Sequence, residues 1–188
     1  MRKSVLEQDV SALIEKIKES DYEIPKNTDV MRVILKRIQM VIVIQLLMVF
    51  CHFIIYGYDY EALIGISIIS AVGVLFFSAV FVPSLYQLVS MMLSINEIDE
   101  GRSLIIKLLM GKLKRYWRYL VVINLIIGAV LLLSGEGVIS GLGFSWFVTF
   151  LICIVSFQIS LSRYMTPVVV SSLSKVRELI FCDISDKK

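Results

Sequence analysis

The sequence predicts an all-α membrane protein with four transmembrane helices and both termini on the cytosolic side. Of its 188 residues, 57% are hydrophobic and 19% charged, and the mean hydropathy is +0.82. Soluble domains are about half apolar and about a quarter charged, with short apolar runs. Here charge is absent from Ile38–Tyr58, Ala62–Asn96, Tyr119–Gly135 and Gly137–Ser162, runs of 21, 35, 17 and 26 residues. About 20 apolar residues in a helix cross the ~30 Å hydrocarbon layer, so each run is near or above spanning length. The basic residues supply the orientation. All 19 Lys and Arg fall in three blocks, eight up to Arg37, six from Arg102 to Arg118 and five from Arg163 onward. Cytosolic segments retain Lys and Arg, so all three blocks are assigned to the cytosol.

These observations exclude a soluble enzyme domain, a disordered chain and a nucleic-acid-binding module. The runs do not alternate in polarity as the strands of a transmembrane β-barrel would. The first 37 residues carry 15 charges and no early apolar stretch, so no cleaved leader is expected. Cys51 and Cys153 fall inside predicted spans and Cys182 in the charged tail, which reads as free thiols.

Residues 1–37 form a cytosolic arm. Ser4 and Glu7 have capping-box spacing, and Leu6, Val10, Leu13, Ile14 and Ile17 follow at helical intervals, which predicts an amphipathic helix of about four turns. Tyr22-Glu23-Ile24-Pro25 is extended, because a residue before proline avoids the helical region. A second helix starts near Asn27–Asp29 and carries Arg32, Lys36 and Arg37 into the first span. The spans are placed at about 38–57, 62–82, 119–134 and 144–161 within a transmembrane domain of residues 38–163. The second uncharged run is too long for one crossing, and Pro83 is the expected break, with Ser84–Ser94 as an extension beyond it. In the cytosolic loop 84–118, Leu104, Ile105, Leu108, Leu109, Leu113 and Trp117 make an apolar stripe opposite Lys107, Lys114 and Arg118. That predicts a basic amphipathic helix against anionic headgroups. Residues 164–188 form a cytosolic tail. Outside the membrane lie only the turn near Tyr58–Glu61 and the glycine-rich loop Ser134–Gly143.

Within the spans the ionisable side chain is His52, whose neighbours Tyr56, Tyr58 and Tyr60 suggest an interfacial position and an interfacial or structural hydrogen-bonding role. With no second histidine, no metal site is expected. Gln45, Asn124 and Gln158 are neutral amides in three different spans, suited to hydrogen bonds between helices rather than to a transport path. In the fourth span Gly141, Ser145, Thr149 and Cys153 recur every fourth residue, a small-residue ridge for close helix packing, with Phe150 and Ile152 off it. Gly65, Ser67, Ser70, Ala71 and Gly73 offer a complementary surface on the second span. The motifs of hydrolases, zinc proteases and P-loop proteins are absent, so neither catalysis nor a cofactor is expected.

The amphipathic segment Leu13-Ile14-Glu15-Lys16-Ile17-Lys18, then Ser20-Asp21-Tyr22-Glu23-Ile24-Pro25, then a basic helix entering the membrane, resembles the TraS entry exclusion proteins of F-like conjugative plasmids. The detailed likeness covers about the first 40 residues, and the remainder is similar in hydropathy. The resemblance implies a bacterial inner-membrane protein that blocks redundant DNA transfer into a plasmid-bearing recipient. Its implied partner is the donor's mating-pair protein TraG. Candidate recognition residues are Leu6, Val10, Leu13, Ile17 and Tyr22 on the arm and the outer acids Asp59, Glu61 and Glu136. The lipid bilayer and a second copy in a homo-oligomer are further partners, and nucleic acid is not. The competing class is a small subunit of a membrane transporter or channel complex.

Overall fold

A computed structural model of the chain describes residues 8–9, 11–12, 14–16, 25–57, 59–99, 104–135, 137–162, 171 and 174. Among the described residues the fold is all-helical. Four long helices follow one another: α1 (Asn27–Tyr56), α2 (Tyr60–Asp99), α3 (Leu104–Leu133) and α4 (Leu142–Ser162), the last preceded by a 3₁₀ turn at Val138–Gly141. Each contains a stretch long and apolar enough to cross a membrane. The large apolar side chains left outside the core, such as Leu46, Ile54, Leu75, Ile126 and Ile159, suit hydrocarbon rather than water.

Local chemistry explains where the helices start and stop. α1 ends at Tyr56, and Gly57 follows at φ 90°, its N–H donating to Phe53 O at 3.1 Å. That left-handed residue closes the last turn and favours glycine. Two residues later Asp59 opens α2. Its Oδ1 accepts the Glu61 N–H at 3.1 Å and its carbonyl accepts the Leu63 N–H at 2.9 Å, so Asp59 caps the helix. The short connection leaves α1 and α2 as antiparallel neighbours. At the far end of α3 the chain turns through Ser134 and Gly135, and Gly137 at φ 77° enters the 3₁₀ turn.

The expected break at Pro83 does not occur: α2 runs through it without interruption for 40 residues. At ~1.5 Å per residue such a helix is about 60 Å long. Proline removes one backbone hydrogen bond, and the long helical stretches on either side outweigh that loss. One residue later Ser84 Oγ donates to Val80 O at 2.7 Å, a bond inside the same helix. The remaining boundaries move less, with α3 entering its apolar run as one helix from Leu104.

The chain divides into two compact units. One holds the described residues of Met1–Met31, Tyr86–Lys114 and Ser156–Lys188. In it Tyr86 Oη donates to Asn27 Oδ1 at 3.1 Å, and Lys112 Nζ donates to the Ser160 carbonyl at 2.7 Å and also contacts its hydroxyl. Val30, Val89, Met92, Leu109 and Leu161 are buried apolar side chains of this unit. The other comprises Arg32–Leu85 and Arg115–Val155. Its core is aromatic. Phe77 lies 4.9 Å from Phe81 and 5.7 Å from Phe150, and Phe81 lies 5.1 Å from Phe150 and 5.7 Å from Trp117, centroid to centroid. Fully buried Trp146 adds to the cluster at 6.1 Å from Phe77. Such pairs add about 0.5–1.5 kcal/mol each beyond area burial. Arg37 stacks over Trp117 with its guanidinium carbon 5.3 Å from the ring centre, a cation–π contact between α1 and α3.

Candidate functional site

Polar side chains join the helices of the Arg32–Leu85 and Arg115–Val155 unit at three levels. Asn124 on α3 is fully buried. Its Nδ2 donates to Leu120 O at 2.9 Å and to Thr149 Oγ1 on α4 at 2.7 Å. Its Oδ1 accepts from Ser145 Oγ at 2.6 Å. The two hydroxyls also reach backbone on their own helix, Thr149 at Ser145 O and Ser145 at Leu142 O. All polar atoms of this junction therefore have partners, the condition for burying them in hydrocarbon. On α1, buried Gln45 donates from Nε2 to Ser70 Oγ on α2 at 2.9 Å, while its Oε1 has no partner. At the third level Tyr56 Oη donates to Leu132 O at 2.8 Å, tying the end of α1 to α3.

Between α2 and α4 the backbones meet directly. A Cβ added at Gly143 would lie 2.5 Å from Ser70 O, and one at Gly73 would lie 2.6 Å from Phe144 N. Only residues without a side chain permit that crossing, the membrane-helix use of glycine. Gly128 on α3 is looser, its added Cβ meeting the flexible end of Met48 at 3.2 Å.

The residues singled out in the sequence take varied places. Ser145 and Thr149 face α3 through Asn124, Gly141 lies nearest Leu131 of α3, and Cys153 is half-buried. Of the proposed second-span surface, Ser70 and Gly73 meet α4 at Gly143, while Gly65 has open space around it. Phe150 was expected off the packed side but is 6% exposed and part of the aromatic cluster. The four-residue repeat marks only the small side chains; a large ring beside them packs on α2 as well. His52 is 3% exposed, buried against its neighbours near the end of α1. Its ring sits 4.8 Å from Tyr56, and its Nδ1 has no partner. Of the three amides, Gln45 and Asn124 bridge helices, whereas Gln158 is exposed. Asp59 serves as the α2 cap, and Glu61 is exposed in the first turn, where a carboxylate opposes the positive helix end. Leu6, Val10, Leu13, Ile17, Tyr22 and Glu136 lie outside the described residues.

One concavity opens beside the Gln45–Ser70 bond. It has a volume of about 340 Å³ and is lined from α1 by Ile42, Gln45, Leu46 and Val49, and from α2 chiefly by Ser67, Ser70 and Ala71. That is at the lower end of the ~300–1,000 Å³ typical of ligand sites. Among the described residues no group of three or more His, Cys, Asp or Glu is placed to hold a metal ion.

Fold and site together define a multi-pass α-helical membrane protein. Comparison with protein-family models, with curated proteins and with solved structures finds no match for the chain.

Proposed function

We propose that the protein is a recipient-side exclusion protein of the TraS type. In this reading it resides in the bacterial inner membrane with both termini in the cytosol. It acts by binding the donor's mating-pair protein TraG, without turnover. The observation that carries the reading is the N-terminal sequence, Leu13-Ile14-Glu15-Lys16-Ile17-Lys18 and Ser20-Asp21-Tyr22-Glu23-Ile24-Pro25. The helix that follows begins at Asn27 and carries Arg32, Lys36 and Arg37 into an apolar run. Support of a physical kind comes from the spans, where the amides and hydroxyls at Asn124, Thr149, Ser145 and Ser70 are engaged in joining helices. A protein whose task is selective binding needs such a fixed scaffold and no reactive group.

Surface area suggests where recognition occurs. A specific interface takes about 800 Å² and roughly 20–30 residues on each partner. The outer connections Gly57–Glu61 and Ser134–Gly143 together hold 15 residues, and Asp59 is committed to its cap. The arm Leu6–Ile24 and the basic segment Arg102–Arg118 are therefore proposed to contribute to plasmid-specific recognition.

A mating assay tests the function. Recipients that express the protein should take up less DNA from donors carrying the like plasmid, with uptake from an unrelated conjugative donor unchanged. Equal uptake with and without the protein overturns the reading and leaves the transporter or channel subunit as the class to pursue. Exchanging segments with a relative of different specificity tests the area argument. Specificity that moves completely with Gly57–Glu61 and Ser134–Gly143 contradicts it.

A further inference from the structure

We propose that the junction of α1 and α3 at Arg37, Trp117 and Arg118 binds the phosphate of one anionic phospholipid, with its acyl chains along the apolar side of the two helices. These helices run side by side in the same direction. Arg37 stacks over Trp117 at one end, the Met48 side chain meets Gly128 midway, and Tyr56 bonds to Leu132 at the other. Arg37 and Arg118 each stand one residue before an uncharged run, which starts at Ile38 on α1 and at Tyr119 on α3. A cation there sits at the edge of the hydrocarbon, the depth of the headgroup phosphates. Arg118 follows Trp117 by one residue and so projects about 100° round α3 from it, on the side away from Asn124 and its α4 partners. The two guanidinium groups therefore flank one outward-facing edge of the junction.

Among the described residues no carboxylate pairs with these two groups. The unit of Arg32–Leu85 and Arg115–Val155 holds the bases Arg32, Lys36, Arg37, Arg115 and Arg118 and the acids Asp59, Glu61 and Glu136. Asp59 and Glu61 follow the far end of α1, about 28 Å along its axis from Arg37, and Glu136 comes after the end of α3 in the chain. Asp29, earlier on α1, is about 12 Å along the axis from Arg37 and already has a partner. A cation held over a ring spends none of its five N–H donors on a hydrogen bond. Guanidinium and phosphate match as a bidentate pair, whereas a zwitterionic headgroup brings its own cation against the same two charges. Beside that edge Met40 and Leu47 on α1 and Val122 and Leu125 on α3 are exposed and suit acyl chains. Bases at the very start of apolar runs, with exposed apolar side chains next to them, favour a lipid over an acidic macromolecule. The inference stands apart from the exclusion reading, since no mating result alters a lipid-binding measurement.

The test is native mass spectrometry of the purified full chain in a mild detergent, titrated with phosphatidylglycerol or with phosphatidylcholine of the same acyl chains. Phosphatidylglycerol should bind on the order of tenfold more tightly. Arg37→Gln and Arg118→Gln should each weaken its binding about fivefold, the equivalent of ~1 kcal/mol per basic residue. Arg37→Lys keeps the charge but loses the planar fork, and should recover only part of the affinity. Lys107→Gln removes an equal charge about 15 Å along α3 from Trp117 and should change binding by less than about twofold. Arg118 is exposed, so its replacement leaves the core intact, and circular dichroism checks that each variant keeps the wild-type helix content. Equal binding of the two lipids overturns the proposal and leaves the basic end to an acidic macromolecule. A loss with Lys107→Gln as large as with Arg118→Gln also overturns it, as does displacement of the lipid by inorganic phosphate at the same concentration.

Discussion

Replacing Gly143 by alanine should destabilise the protein by about 3 kcal/mol or more, at the upper end of overpacking costs. The added methyl would lie 2.5 Å from Ser70 O and 3.2 Å from Ser70 Cα. Gly73→Ala meets the same crossing from the other side, 2.6 Å from Phe144 N and 2.8 Å from Gly143 Cα. These obstacles are backbone atoms of a packed helix, which have no rotamer to escape into. The helices must separate, and separation also opens the aromatic cluster of Phe77, Trp146 and Phe150. Gly65→Ala is the internal control: nothing lies within 4 Å of its added Cβ, and alanine improves helix propensity by up to about 1 kcal/mol. Denaturant titration in detergent should therefore show Gly143→Ala and Gly73→Ala well below wild type and Gly65→Ala at or above it. Equal stability of all three would mean that α2 and α4 do not touch at this point.

Asn124→Ala should be the next most damaging change, costing about 1–3 kcal/mol. Three hydrogen bonds are lost, to Leu120 O, Thr149 Oγ1 and Ser145 Oγ, and a void is left at a fully buried position. The cost is bounded because both hydroxyls keep a backbone carbonyl on their own helix. Combining Asn124→Ala with Thr149→Val in a double-mutant cycle isolates the shared bond, with a coupling of roughly 0.6–1.7 kcal/mol expected. Ser145→Leu overfills the same junction, whereas Ile152→Leu, at a position 60% exposed, should be nearly neutral. A cycle with no coupling would remove Asn124 as the link between α3 and α4.

How far the fold is legible in the sequence depends on the range of the signal. Four spans follow from absent charge, a property of composition that needs no tertiary information, and the helices containing them are all found. The polar bridges at Gln45 and Asn124 are also foreseeable, because an amide at membrane depth must find a partner. Pro83 misleads because local stereochemistry argues for a break, while the sum of hydrogen bonds along a 40-residue helix argues against one. Gly143 escapes notice for a different reason. It sits in a glycine-rich stretch read as an outer loop, and only the position of Ser70 shows that its missing side chain matters. Phe150 illustrates the same limit, since helical spacing gives a side chain's angle around the axis but not how many neighbours surround it. The cleft beside Gln45 has no linear signature, being formed by residues 42–49 and 67–75 from two helices.

Reporter fusions at five positions test the four-crossing arrangement most directly, and the proposed function depends on it. Fusions after Lys26, near Gly101 and after Cys182 should be active only with a cytosolic reporter. Fusions near Asp59 and Glu136 should be active only with a periplasmic one. That pattern follows from 19 basic residues confined to three segments joined by four apolar helices. A periplasmic signal after Lys26, or the same side for Asp59 and Gly101, would contradict it.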